Sequence, residues 1–127
     1  MPYTLLIVDD SKLARMAATK ALKNLYPDWT RVEAANGDEA VALANETAFD
    51  VALLDFNMPG RDGLQLAADL LALRPSTPLA IVSANHQTEI IARAKDLGAV
   101  FLTKPLNEQA LGAFLEDAAR RLGQDKA

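Results

Sequence analysis

Five short apolar segments alternate with stretches of helical periodicity along the chain, and this alternation limits the folds that are available to it. The apolar segments occupy residues 4–8, 31–35, 51–54, 79–82 and 100–103. Apolar residues then recur every three or four positions near residues 14–25, 40–44, 64–71, 90–97 and 111–122, the spacing of helices with one buried face. Strands that alternate with such helices predict a parallel sheet covered by helices on both faces.

The composition of the five segments predicts their order in the sheet. The first, third and fourth are continuously apolar, as expected of strands buried on both faces. The second contains Arg31 and Glu33 and is expected at an edge. We therefore predict an α/β fold with a doubly wound, five-stranded parallel sheet in the order 2-1-3-4-5, which binds ligands beyond the carboxyl ends of strands 1 and 3.

Polar residues end four of the five predicted strands, on the side of the sheet where a ligand is expected. They are Asp9, Asp10, Asp55, Ser83 and Lys104. Each has an ordinary structural explanation when it is taken alone: Asp10 or Ser11 could cap the first helix, and Asp55 could be a turn residue. Their joint placement at one edge indicates a functional site.

The charges of these residues suggest which chemistry the site performs. Three carboxylates about 5 Å apart repel by about 3 kcal/mol per pair at an effective dielectric constant of about 20. Lys104 neutralises part of this charge, and a divalent cation with oxygen ligands, Mg²⁺, would neutralise more. An aspartate nucleophile, Mg²⁺ and a lysine are the parts needed for phosphoryl transfer to Asp55.

Composition restricts the function further. The chain has 127 residues, which fits one domain, and it has no cysteine, as is common for the cytoplasm. We find no apolar run long enough for membrane insertion. The net charge of −4, with scattered basic residues, argues against direct binding to nucleic acid.

The chain resembles, from end to end, the receiver (CheY-like) domain of two-component response regulators, of the single-domain type. The resemblance is carried by the segments VDDS, LLDFNMPGRDG, IVSA and VFLTKPL, in this order. It implies a flavodoxin-like fold, with residues 1–127 forming a single receiver domain and no output domain. It further implies a signalling switch, rather than an enzyme, that assists its own phosphorylation and dephosphorylation.

The resemblance also implies a role for each acidic residue. Asp55 would be the phospho-acceptor and a metal ligand. Asp10 would bind Mg²⁺ directly, and Asp9 would act on the metal directly or through water. Asn57 would offer its main-chain carbonyl to the metal.

The remaining implied roles concern signal output. Ser83 would be the switch hydroxyl and Phe101 the switch aromatic residue, where many family members have threonine and tyrosine. Lys104 would form a salt bridge with the phosphoryl group. Its peptide bond to Pro105 would be cis. The donor would be a histidine kinase or a histidine phosphotransfer protein, and helix 4, strand 5 and helix 5 would form the face that binds a downstream protein target.

Two other functions conflict with particular residues of the chain. A Mg²⁺-dependent phosphatase of the haloacid dehalogenase type would need an acid two residues after the nucleophile, where this chain has Asn57. A flavodoxin-like cofactor-binding module would need a glycine- and hydroxyl-rich first loop, where this chain has DDSK. We interpret the single histidine, His86, as a solvated residue rather than a phosphate carrier.

Overall fold

Residues 3–84 and 87–126 are described by a computed structural model, and they form five strands and five helices that alternate along the chain. Within these residues, no helix combines the length and the apolar character needed to cross a membrane. The elements are β1 (Thr4–Val8), α1 (Lys12–Leu25), β2 (Thr30–Ala34), α2 (Gly37–Glu46), β3 (Val51–Asp55), α3 (Gly63–Leu73), β4 (Leu79–Ser83), α4 (Thr88–Asp96), β5 (Val100–Thr103) and α5 (Glu108–Lys126).

The sheet has the predicted order, β2-β1-β3-β4-β5, and every neighbouring pair is parallel. The prediction of a doubly wound, CheY-like α/β fold is therefore confirmed. The second strand begins one residue earlier than predicted, because Thr30 pairs with Thr4 and their hydroxyl groups are 2.7 Å apart. The third and fourth strands extend to include Asp55 and Ser83, so these polar side chains belong to the sheet itself.

Two apolar layers hold the helices against the sheet, because successive side chains of a strand point to opposite faces. Leu6 and Leu54 belong to the layer that also contains buried residues of α2, α3 and α4. Leu5 and Leu53 belong to the opposite layer, which contains buried residues of α1 and α5. The continuous apolar character of β1, β3 and β4 follows from burial on both sides.

Side-chain caps fix the starts of α1, α2, α3 and α5. Ser11 accepts a hydrogen bond from the Ala14 amide at 3.2 Å, which confirms the capping role proposed for it. Asn107 accepts one from the Ala110 amide at 2.7 Å at the start of α5. These caps satisfy amide groups that lack partners within the helix.

Candidate functional site

The acidic residues of the first and third strands converge at the carboxyl edge of the sheet. One carboxylate oxygen from each of Asp9, Asp10 and Asp55 lies within 4.8 Å of the other two. Asp9 and Asp55 are buried, with exposed fractions of 6% and 3%, whereas Asp10 is exposed. They meet because β1 and β3 are parallel neighbours, so both strands end at the same edge.

Lys104 reaches this cluster from the loop after β5. Its Nζ lies 3.0 Å from Oδ1 of Asp55 and 3.1 Å from Oδ2 of Asp9. Its main-chain amide donates to the Ser83 carbonyl at 3.0 Å, which ties the loop to the end of β4. The Lys104–Pro105 peptide bond is cis, as the resemblance implied. The structure therefore brings together the lysine and the carboxylates that the sequence placed at strand ends.

The environment of Asp55 raises its pKa above that of a free aspartate. Burial is the largest influence and raises the pKa of Asp55; the hydrogen bond from Lys104 opposes this shift, while the charges of Asp9 and Asp10 reinforce it. Burial lowers the pKa of Lys104, but hydrogen bonds to Asp55 and Asp9, together with their charges, raise it overall. The site thus places a lysine whose positive charge is stabilised beside a carboxylate whose negative charge is destabilised by burial.

This raised pKa predicts how stability depends on pH. In Mg²⁺-free buffer at neutral pH, Asp55→Asn is expected to have a higher free energy of unfolding than the wild type. The folded chain keeps the Asp55 proton to higher pH than the unfolded chain does, so the wild type loses stability as the pH rises from the ordinary pKa of aspartate to the raised one. Urea unfolding of both proteins across this interval measures the difference. A wild type that gained stability relative to the variant would contradict the prediction.

Asp9 and Asp10 are held in different ways, although they are adjacent in sequence. Asp9 uses both carboxylate oxygens: Oδ1 accepts from the Ser11 amide at 2.9 Å, and Oδ2 contacts Lys104. Among the described residues, the Asp10 side chain makes no hydrogen bond or ion pair. Asp10 is therefore the carboxylate with free oxygens beside Asp55.

The donor set fits a hard divalent cation. Carboxylate oxygens are the ligands that Mg²⁺ prefers, and it binds through one or two of them together with phosphate oxygens and water. Asp10 and Asp55 could supply these carboxylates. Asn57 is exposed in the loop after β3, on the same edge, and the use of its carbonyl as a ligand stays a prediction.

The two residues assigned to signal output lie on β4 and β5. Ser83 is buried at the end of β4, the strand that pairs with β3. Phe101 is partly buried and packs against the apolar layer that contains Ile90 and Ala94 of α4. Their switch roles stay predictions. His86, interpreted as solvated, lies outside the described residues.

Three residues that contribute to the geometry of the site were not identified from the sequence. Arg15 donates to the main-chain carbonyl of Asp9 at 2.6 Å. Arg61 joins the loop after β3 to α2 and α3 through ion pairs with Asp38 and Asp69 at 3.2 and 3.1 Å. Gly63 begins α3 directly against the carbonyl of Asp55. Only Gly63 gave a signal, since glycine is a poor choice for the first turn of a helix unless space requires it.

The sequence profile of the response regulator receiver domain matches residues 5–116. The chain belongs to this family. Receiver domains are signalling switches in phosphorylation-based signalling, and they interact with kinases or phosphotransfer proteins and with downstream targets. Family membership favours this interpretation over the phosphatase and the flavodoxin-like cofactor binder.

Relatives of this receiver domain include both short and long proteins. Chemotaxis protein CheY of Listeria monocytogenes is 36% identical over 118 residues, covering 91% of this chain and 98% of that protein. Cyclic di-GMP phosphodiesterase of Thermotoga maritima is 35% identical over 118 residues, covering 92% of this chain and 31% of that protein. The structure of chemotaxis protein CheY4 of Vibrio cholerae matches with a TM-score of 0.83 and 28% identity, covering 93% of this chain and 99% of that one.

Several curated relatives are much longer than this chain. It spans less than two thirds of the length of several curated relatives: 31% of the Thermotoga protein and 46% of the positive alginate biosynthesis regulatory protein of Pseudomonas aeruginosa. The phosphodiesterase name therefore describes a longer protein and gives no evidence of enzymatic activity in the receiver domain.

Proposed function

We propose that the receiver domain accepts a phosphoryl group on Asp55 in a Mg²⁺-dependent reaction. The observation that carries this proposal is the position of Lys104, whose Nζ contacts Asp55 and Asp9 while an oxygen of Asp10 lies within 4.8 Å of both carboxylates. Phosphoryl transfer needs an acceptor, a positively charged group beside it and a carboxylate that can bind a metal. Here these are Asp55, Lys104 and Asp10.

The positions of these groups support the following reaction. A carboxylate oxygen of Asp55 attacks the phosphorus atom, the bond from phosphorus to the leaving group breaks, and the leaving group departs with the electron pair. Lys104, whose Nζ lies 3.0 Å from Asp55 Oδ1, would stabilise negative charge on the transferring oxygens. Mg²⁺, when bound by Asp10, Asp55 and the Asn57 carbonyl, supplies further charge compensation. The product is an acyl phosphate; later attack of water on its phosphorus would break the bond to Asp55, release inorganic phosphate and restore the carboxylate.

The acceptor borders an open space in the protein. A cavity of about 430 Å³ borders Asp55 and Lys104, between α1 and the loop after β5. Alanine side chains of α1 form part of its wall, and small side chains keep it open. In the cell we propose that a histidine kinase or a histidine phosphotransfer protein is the donor, because the family exchanges signals with such proteins.

We propose that phosphorylation is transmitted from β4 and β5 to α4. The phosphoryl group adds a charge of about −1.5 to −2 and three acceptor oxygens to Asp55. Ser83, at the end of the neighbouring strand, would bond one of these oxygens, and Phe101 would couple β5 to the α4 layer that it contacts. The net charge of −4 favours a downstream protein target over nucleic acid on the α4–β5–α5 face. We propose a cytoplasmic location, which suits a chain without cysteine.

Mg²⁺ binding by single variants tests the metal assignment. Asp10→Asn is expected to weaken Mg²⁺ binding by roughly tenfold or more, and Asp9→Asn by a few-fold, because both oxygens of Asp9 already have protein partners. Both variants should be labelled more slowly by acetyl phosphate. Calorimetry is the suitable measurement. The only tryptophan, Trp29, directly precedes β2 and lies at the amino ends of the strands, away from the site, so its fluorescence should change little.

The order of the two variants is the informative result. Equal losses, or a larger loss for Asp9→Asn, would show that the metal ligands have been assigned wrongly. A wild type that is labelled equally well with Mg²⁺ and with a chelator present would contradict the proposed function itself.

A further inference from the structure

Arg15 connects the acidic cluster to the edge strand of the sheet. It lies in the first turn of α1, and only 16% of its side chain is exposed. Its Nη1 donates to the main-chain carbonyl of Asp9 at 2.6 Å, and its Nε lies 3.1 Å from Oε1 of Glu33 on β2. One guanidinium group therefore binds two acceptors, one directly after β1 and the other on β2.

The contact with Asp9 fixes the peptide group that joins Asp9 to Asp10. The other side of Asp9 is already held, since its amide donates to the Ala34 carbonyl at 3.2 Å and its Oδ1 accepts from the Ser11 amide. The Asp10 side chain leaves the backbone immediately after the peptide group that Arg15 holds. Because the Asp10 carboxylate makes no hydrogen bond or ion pair of its own among the described residues, its direction depends on that peptide group.

We propose that Arg15 is a positioning residue for the metal site, which aims the Asp10 carboxylate at Asp55 by holding the Asp9–Asp10 peptide group. This role rests on the proposed Mg²⁺-dependent function of the same site. Arginine suits the position because its planar, always charged group presents several donors in a fixed geometry. Lysine has one nitrogen and cannot reproduce the arrangement of Nη1 and Nε on separate partners.

Electrostatics alone predicts the opposite effect on the metal. A positive charge next to the site repels a divalent cation, so removal of Arg15 would tighten Mg²⁺ binding if its charge were all that mattered. Removal of a positioning residue instead weakens binding, because Asp10 loses its fixed direction. The sign of the change therefore distinguishes the two roles, and a general loss of stability does not produce the positioning result in a folded variant.

The test compares Arg15→Met with Arg31→Met by calorimetric titration with Mg²⁺. Arg31 is a matched control: its Nε binds the other oxygen of Glu33 at 3.2 Å, and within residues 3–84 and 87–123 it makes no hydrogen bond to Asp9. We expect Arg15→Met to bind Mg²⁺ roughly tenfold more weakly than the wild type, at the low end for residues that support metal ligands. Arg31→Met should stay within about twofold of the wild type.

An NMR titration of the same proteins provides a second measurement. In the wild type, the amide signals of Asp10 and Ser11 should move with Mg²⁺ concentration, and in Arg15→Met they should reach the end point at higher concentration. Arg15→Lys serves if the methionine variant does not fold. It keeps the charge but loses one of the two contacts, so we expect binding at least about threefold weaker, whereas a purely electrostatic role predicts no change.

Unchanged or tighter Mg²⁺ binding by folded Arg15→Met, or unchanged binding by Arg15→Lys, would overturn the positioning role. The proposed function would then still stand if the wild type binds Mg²⁺ and Asp10→Asn binds it roughly tenfold or more weakly. A wild type that binds no Mg²⁺ would overturn both.

Discussion

Asp55→Asn is expected to gain no phosphoryl group when it is incubated with Mg²⁺ and acetyl phosphate, whereas the wild type gains one. The amide lacks the negative charge and the nucleophilic oxygen of a carboxylate, so the attack on phosphorus cannot occur. Asp9 and Asp10 do not replace the acceptor in this account, because Asp9 is engaged by Ser11 and Lys104 and Asp10 is assigned to the metal. Intact-protein mass spectrometry under conditions that preserve acyl phosphates measures the gain.

Asp50→Asn is the matched control for this experiment. Asp50 directly precedes β3, at the end opposite to Asp55, where its Oδ2 accepts from the Thr4 amide at 2.8 Å. The same chemical change, from aspartate to asparagine, is thus made at each end of β3. Asp50→Asn should be labelled at a rate close to that of the wild type, and equal loss of labelling in both variants would indicate a general effect on the fold.

Gly63→Ala is expected to damage the fold next to the acceptor. A Cβ atom at this position would lie 2.5 Å from the Asp55 carbonyl oxygen and 2.9 Å from Cα of Phe56. Both are main-chain atoms, one of the last residue of β3 and one of the residue that follows it. Neither can rotate away as a side-chain atom could. Since Asp62 caps α3 through its contact with Gln65, the helix start is fixed as well. We expect the free energy of unfolding to fall by about 3 kcal/mol, the upper part of the usual range for overpacking.

Gly123→Ala provides the comparison, because it makes the same change in α5 where no heavy atom lies within 4 Å of the added carbon. Alanine favours a helix over glycine by about 1 kcal/mol, so this variant should be as stable as the wild type or slightly more stable. Urea unfolding measures both variants. A Gly63→Ala protein with wild-type stability and labelling would mean that α3 can shift away from β3 without consequence.

The fold and the centre of the site could be predicted because they depend on local patterns. The apolar runs identified the strands, the charged residues of the second segment placed it at an edge, and the order 2-1-3-4-5 then followed. Parallel strands share one carboxyl edge, so the residues that end them had to approach one another. This reasoning brought Asp9, Asp55 and Lys104 together, and the structure confirms their contacts.

The supporting residues could not be predicted because they depend on how separate elements pack. Arg15 meets Glu33 only because α1 lies over β1 and beside β2 with one particular rotation about its axis. Arg61 likewise meets Asp69 and Asp38 through the arrangement of α2, α3 and the loop after β3. Taken in sequence, each is an ordinary charged residue. The predicted start of β2 was one residue late for a similar reason. Thr30 joins the strand because it pairs with Thr4 on β1.

The central claim is that Asp55 carries the phosphoryl group, and borohydride reduction tests it most directly. Borohydride converts an aspartyl phosphate to homoserine, so peptide mass spectrometry of the labelled and reduced protein identifies the acceptor by position. We predict homoserine at residue 55 alone, only when acetyl phosphate and Mg²⁺ were both present. Homoserine at residue 9 or 10, or a labelled protein that yields no homoserine, would contradict the assignment of Asp55 as the acceptor.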